Sequence, residues 1–207
     1  VHLDRENRRV WVEGRIQITN DYLEYLAVCR RGKDHESLLL VDCLPSALNA
    51  ALIALGLQKG SNYSLKEKVP PPPKEEVEAG RARPYVVVHP EGAELYLTVE
   101  WENEEGEKVR RRAEELVLDL RAKKPLEKRT WIYFGSRMAS LNKGEEPVFM
   151  ADQVFNLVSV CYMFPGNHLI TIRHENGMDQ TNWYPNHEEL PPRGTPVRLY
   201  FSLAPME

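Results

Sequence analysis

Along most of the chain, apolar and polar residues alternate in short stretches bounded by turn-forming residues. Leu95, Leu97, Val99 and Trp101 alternate with Glu94, Tyr96, Thr98 and Glu100, the period-two pattern of a half-exposed strand. Val10-Trp11-Val12, then Glu13-Gly14, then Arg15-Ile16-Gln17-Ile18 predicts a hairpin turning at the glycine. Residues 22–28 and 38–41 are apolar enough for buried strands, with the turn Arg31-Gly32-Lys33-Asp34-His35-Glu36-Ser37 between them. Further strands are predicted at 85–89, 131–134, 148–150, 157–163, 169–173 and 197–202. In the last of these, Val197, Leu199 and Phe201 share a face.

One segment follows a different rhythm. From Pro45 onward, Ala47, Leu48, Ala50, Ala51, Leu52, Ile53, Ala54 and Leu55 leave no polar face, and Gly56 or Gly60 supplies a stop. A helix apolar all round is expected to lie inside the core. A second, short helix is predicted within 113–120. The expectation is an α+β fold, mostly antiparallel β-strands packed around one buried helix at about residues 45–57, in a single domain spanning 1–207. Residues 66–84, with Pro70-Pro71-Pro72-Pro73 among lysines and glutamates, are expected to form an exposed, stiff loop.

Composition narrows the partners. The 207 residues carry a formal net charge of −4 and the pI is about 5.9, which argues against an electrostatic nucleic-acid binder. Residues 61–129 hold 14 of the 27 Lys and Arg and 15 of the 31 Asp and Glu. The signs cancel there, giving a solvated mixed surface rather than a site of one charge. No stretch approaches 18 uninterrupted apolar residues, so no membrane span is expected. Cys29, Cys43 and Cys161 are far apart and form no CxxC pair. They are expected to be buried small hydrophobes, and a disulfide between any two would leave the third free. The opening Val1-His2-Leu3-Asp4-Arg5 reads as a trimmed mature chain, compatible with export.

Several blocks together resemble the bacterial YdjY-type domain. They are Val10-Trp11-Val12-Glu13-Gly14, Leu23-Glu24-Tyr25, Gly32-Lys33-Asp34-His35-Glu36-Ser37-Leu38-Leu39, the helix Leu48 to Gly56, Trp131-Ile132-Tyr133-Phe134-Gly135-Ser136, Ala151-Asp152, and Pro191-Pro192-Arg193-Gly194-Thr195-Pro196-Val197. They cover nearly the whole chain in the family's order. The resemblance implies frequent export and no established activity. Two departures stand out: Asn49 occupies a place where the family usually carries histidine, and the cysteine motif expected of ferredoxin-like relatives is absent.

The densest candidate chemistry is Lys33 to Ser37. His35 with Glu36 or Asp34 could ligate a metal, or a base could sit beside a nucleophile. On an extended segment, however, His35 and Ser37 share a face while Glu36 points away. The structural alternative has Asp34 and Ser37 bonding turn amides, with His35 or Glu36 anchoring a neighbouring loop. Lys33, His35, Glu36, Ser37, Asn49 and Asp152 form the candidate ligand-binding set; no catalytic residue is assigned and the metal is left unknown. A second cluster of His168, His174, Glu175, Asp179 and His187, with Asp152 upstream, reads as a solvated polar surface. Trp131 is expected in the core, and Trp183 either in the core or on an exposed platform.

The leading expectation is an extracytoplasmic, non-catalytic binding or assembly module without a cofactor. Its partner would be another protein, a second copy or a surface ligand, through exposed strand edges. The alternative is a metal-assisted hydrolase or redox accessory using the Lys33–Ser37 motif, with His35, Glu36 and Asp152 converging in one cleft.

Overall fold

Arg9–Ile16 forms one continuous strand, β1, where a hairpin was expected. Gly14 sits there because a neighbouring strand crosses too closely for a side chain: a Cβ would lie 2.5 Å from the Leu40 carbonyl oxygen. The glycine serves close approach rather than a turn. The computed structural model describes residues 1–17 and 20–206, so Ile18, the end of the expected hairpin, lies outside the described residues.

Seven more strands join β1: β2 (Tyr25–Cys29), β3 (Ser37–Val41), β4 (Ala93–Glu102), β5 (Trp131–Tyr133), β6 (Asn156–Ser159), β7 (Ile170–Ile172) and β8 (Pro196–Ser202). Their order is β1-β8-β4-β5-β7-β6-β2-β3, and β3 pairs back onto β1. The protein is therefore mostly β, built on an eight-strand mixed barrel. The β6–β7 and β2–β3 pairs are parallel and the other junctions antiparallel. Closure removes most of the strand edges that the sequence led us to expect. Outside the ring, His2–Asp4 pairs with the start of β1, and Lys108–Arg112 extends alongside β4.

Val12, Leu39, Leu97, Trp131, Ile170 and Phe201 belong to one buried apolar cluster drawn from all sides of the barrel. An eight-strand barrel has an interior just wide enough for its own side chains, which leaves no room for a central helix. Helix α1 (Pro45–Ala54) instead lies on the outside, against β1 and α3 (Met150–Val154). Its Leu48 and Leu52 are buried, while Leu44, just before it, and Ile53 are 58% and 53% exposed. The expectation of a helix buried all round is thus corrected. Its uniform apolarity comes largely from alanines, which a surface tolerates. Gly56, at φ +93°, ends the helix as expected, with the Leu57 N–H returning to the Leu52 carbonyl.

Residues 113–120 differ as well. A 3-10 turn, Ala113–Leu116, leads directly into the strand Val117–Asp119, which pairs with Trp183–Pro185. The proline-rich segment is an exposed excursion, closed at its base by the pair Ser64–Glu67 and Tyr85–Val88 and carrying the short helix α2 (Lys74–Glu78). Among the described residues, no helix is long and apolar enough to cross a membrane.

Candidate functional site

The chain leaves β2 at Cys29 and must start β3 at Ser37, which lies beside Tyr25 in parallel register. Residues 30–36 make that return, and the Lys33–Ser37 motif is most of it. Arg31 adopts φ +79°. At Gly32 a Cβ would meet the Phe155 carbonyl oxygen at 2.7 Å and the Asn156 Oδ1 at 2.9 Å, so only glycine fits. Asp34–Glu36 form one 3-10 turn. The Lys33 backbone N–H donates to Asn156 Oδ1 at 3.1 Å, and the Ser37 hydroxyl donates to the Lys33 carbonyl. The Glu24 N–H donates to the Glu36 carbonyl at 3.0 Å, closing the loop onto the residue before β2.

The charged side chains close the same loop from outside. Lys33 Nζ lies 2.7 Å from Glu24 Oε2 and 3.0 Å from Glu36 Oε2. Burial disfavours the ammonium, but the hydrogen bonds and charges of the two glutamates outweigh it and raise the Lys33 pKa. Desolvation, helped by the neighbouring Glu36 carboxylate, raises Glu24. Desolvation acts on Glu36 too, but hydrogen bonds from Glu24 and Lys33 prevail and lower it. His35 stands outside this arrangement, with a side chain 72% exposed and only 3.9 Å contacts to Asp34 and Glu36.

The other predicted residues sit on α1 and its neighbour. Asn49 Oδ1 accepts a hydrogen bond from the Tyr133 hydroxyl at 2.7 Å, joining the helix to β5. Asp152 Oδ1 accepts the Ser46 N–H at 2.8 Å, so α3 supplies a carboxylate to the first turn of α1, where unpaired amides and the helix dipole favour it. The structure thus brings Lys33, Glu36 and Ser37 together. It places Asn49 and Asp152 in two separate contacts, neither of which reaches His35 or Glu36. Among the described residues, no group of three His, Cys, Asp or Glu side chains could hold a metal ion.

The second cluster is partly interior. His168 is fully buried, its Nε2 2.8 Å from the Ser159 hydroxyl. His174 is buried as well, with Nδ1 accepting the Asn176 N–H and Nε2 3.7 Å from Asp119. The expectation of a solvated histidine surface is corrected for both, because each has polar partners waiting inside. Trp131 and Trp183 are both fully buried; Trp183 packs edge-on against His174 rather than forming a platform.

Open clefts lie elsewhere among the described residues, two of them larger than 600 Å³. One, of about 670 Å³, is lined by His89, Asp119, Arg121, Arg129, Arg173 and His174 among others. Its cations are engaged: Arg121 with Asp179 at 2.6 Å, Arg129 with the Arg173 carbonyl at 2.6 Å, and Arg173 with the Pro90 carbonyl. The other, of about 720 Å³, is mostly acidic, with Glu13, Glu100 and Glu102. None of the six predicted site residues lines either cleft.

Sequence reasoning missed Glu24 and Asn156, which complete the loop. A carboxylate between the apolar Leu23 and Tyr25 is the available signal for Glu24. Asn156 lies more than 120 positions away and gives none. Comparison with known families matches residues 1–202 to the YdjY domain. No curated protein and no solved structure matches the chain.

Proposed function

This chain belongs to the YdjY domain family, and from that premise we propose that it is a non-catalytic binding or assembly module outside the cytoplasm that pairs with a second copy of itself through the outer face of α1. The observation that carries the reading is that face. Leu44 and Ile53 are each more than half exposed, with Ala47, Ala50 and Ala54 exposed on the same helix. From Leu44 to Gln58 no residue is charged, so two copies can face one another without like-charge repulsion. A two-fold pairing is the simplest closed arrangement for such a self-complementary surface.

Burying the exposed part of Leu44 or Ile53 contributes about 1 kcal/mol each. Association must also offset lost rotational and translational freedom, so pairing belongs at high micromolar concentration. The non-catalytic reading is supported by the employment of Lys33, Glu36 and Ser37 in closing the β2–β3 loop. The placement outside the cytoplasm rests on the export frequent among proteins that this chain resembles. Sedimentation velocity from 1 to 500 µM, for wild type and Ile53→Glu, tests the pairing (nearly three decades, reaching into the expected range). Concentration-dependent dimer in wild type and monomer in the variant is expected. A wild-type monomer at every concentration refutes it.

A further inference from the structure

The sequence offers no spacing that pairs its cysteines, yet the fold brings two of them together. Cys29 ends β2, and Cys43 lies two residues beyond Val41, its parallel-register partner on β3. Their Sγ atoms are 3.5 Å apart. Cys29 is buried and Cys43 half-buried, so Cys43 is the more exposed residue of the pair. Cys161 is fully buried elsewhere, beside the Glu24 carbonyl and Met163.

We propose that Cys29 and Cys43 are a dithiol site that small-molecule disulfides oxidise to an intramolecular disulfide, stapling the end of β2 to the segment entering α1. The Cys43 thiolate attacks one sulfur of the small disulfide. A Cys43 mixed disulfide forms and the first small thiolate leaves. Cys29 then loses its proton and attacks Cys43 Sγ, forming the Cys29–Cys43 bond and expelling the second small thiolate. The protein gives up two electrons and two protons; the small disulfide takes both and ends as two thiols. Cys29 is held protonated chiefly by its hydrogen bond with Cys43, with burial adding to it. Capping Cys43 removes that hydrogen bond at the step where Cys29 must react.

The bridge closes the loop that contains the Lys33–Ser37 motif. A loop of this size constrains the unfolded chain enough to raise the melting temperature by roughly 5–10 °C in a protein of this length. The inference is independent of self-association, because both sulfurs belong to one chain.

The test treats the full chain with oxidised glutathione and follows intact mass, peptide maps and thermal melting, with and without dithiothreitol. Expected are the loss of two hydrogens, a linked Cys29–Cys43 peptide pair, one alkylatable thiol (Cys161) after unfolding, and a melting rise that dithiothreitol reverses. Cys29→Ala should instead accumulate the glutathione adduct at Cys43. A persistent glutathione adduct on wild type, a disulfide-linked dimer, or three free thiols after treatment would each overturn the proposal. The wild-type result stands without the variant, should Cys29→Ala fold poorly.

Discussion

His168 makes the barrel sensitive to mild acid, by an amount that can be worked out. The ring is wholly buried, with the Tyr25 ring edge-on at 6.1 Å and the Phe134 ring at 4.8 Å. Ser159 donates its hydroxyl to Thr171 Oγ1 at 2.8 Å, so the Ser159 oxygen accepts the proton carried on His168 Nε2. Burial disfavours the charged form, so the imidazole is neutral in the folded chain and its pKa falls from the usual 6.5 to about 3. Once unfolded, the same ring takes up a proton below pH 6.5. The depressed folded-state pKa thus contributes stability that is complete above pH 6.5 and is lost progressively as the pH falls toward 3. Between pH 7.5 and pH 5 the loss is about 2 kcal/mol, which corresponds to roughly 4–8 °C of melting temperature for a chain of this length.

Urea unfolding followed by tryptophan fluorescence at pH 7.5, 6 and 5 reads this directly in wild type and in His168→Gln. Glutamine keeps a donor toward Ser159 and does not titrate. His174, whose pKa burial also lowers, and the paired carboxylates are common to both proteins and cancel in the comparison. The variant's starting stability is immaterial; only its slope matters. Wild type should lose about 2 kcal/mol more than the variant over that interval. Equal losses would show that His168 does not titrate on unfolding as argued, and would refute the burial account of its pKa.

Two further outcomes follow from single contacts. Asn49→Ala and Tyr133→Phe should each destabilise by about 1 kcal/mol, and the double variant by less than the sum, because the two side chains share one hydrogen bond; additive losses in a denaturant-unfolding cycle would remove that bond from the account. Gly14→Ala should cost at least about 2 kcal/mol, since its methyl meets backbone atoms of β3 that cannot step aside. An unchanged unfolding midpoint would mean that β1 and β3 approach less closely than described.

The local elements were largely legible, and their closure was not. The alternation of Leu95, Leu97, Val99 and Trp101 marks β4, and the apolar runs at 38–41 and 197–202 mark β3 and β8 within a residue of their ends. Nothing local says that β3 returns to β1, because that pairing depends on Gly14 meeting Leu40 across the ring. The helix was visible in its period and its Gly56 stop, yet its position was misread: alanine adds to apolarity without requiring burial. The candidate site shows the same division. The density of Lys33 to Ser37 was plain, but Glu24, Asn156 and the meeting of Cys29 with Cys43 exist only once the barrel has formed.

That density has an explanation in the fold. Adjacent parallel strands are usually joined by a dozen or more residues, whereas residues 30–36 alone must carry the chain back along β2, a distance of about 13 Å. So short a return has room for no more than the one 3-10 turn at Asp34–Glu36 and leaves several amides and carbonyls without ladder partners. Ser37 takes up the Lys33 carbonyl, Asn156 takes up the Lys33 amide, and Gly32 lets the Phe155–Asn156 backbone press against the turn. Lys33 then ties Glu24, just before β2, to Glu36, just before β3, so that its charge holds the starts of both strands together. In this loop the ammonium, the Glu36 carboxylate, the serine hydroxyl and the glycine are all engaged, and the side chains of Asp34 and His35 are left facing solvent. A folding requirement is therefore sufficient to assemble most of the motif. A role in recognition has to act through Asp34 and His35, the two positions that the turn leaves free to change.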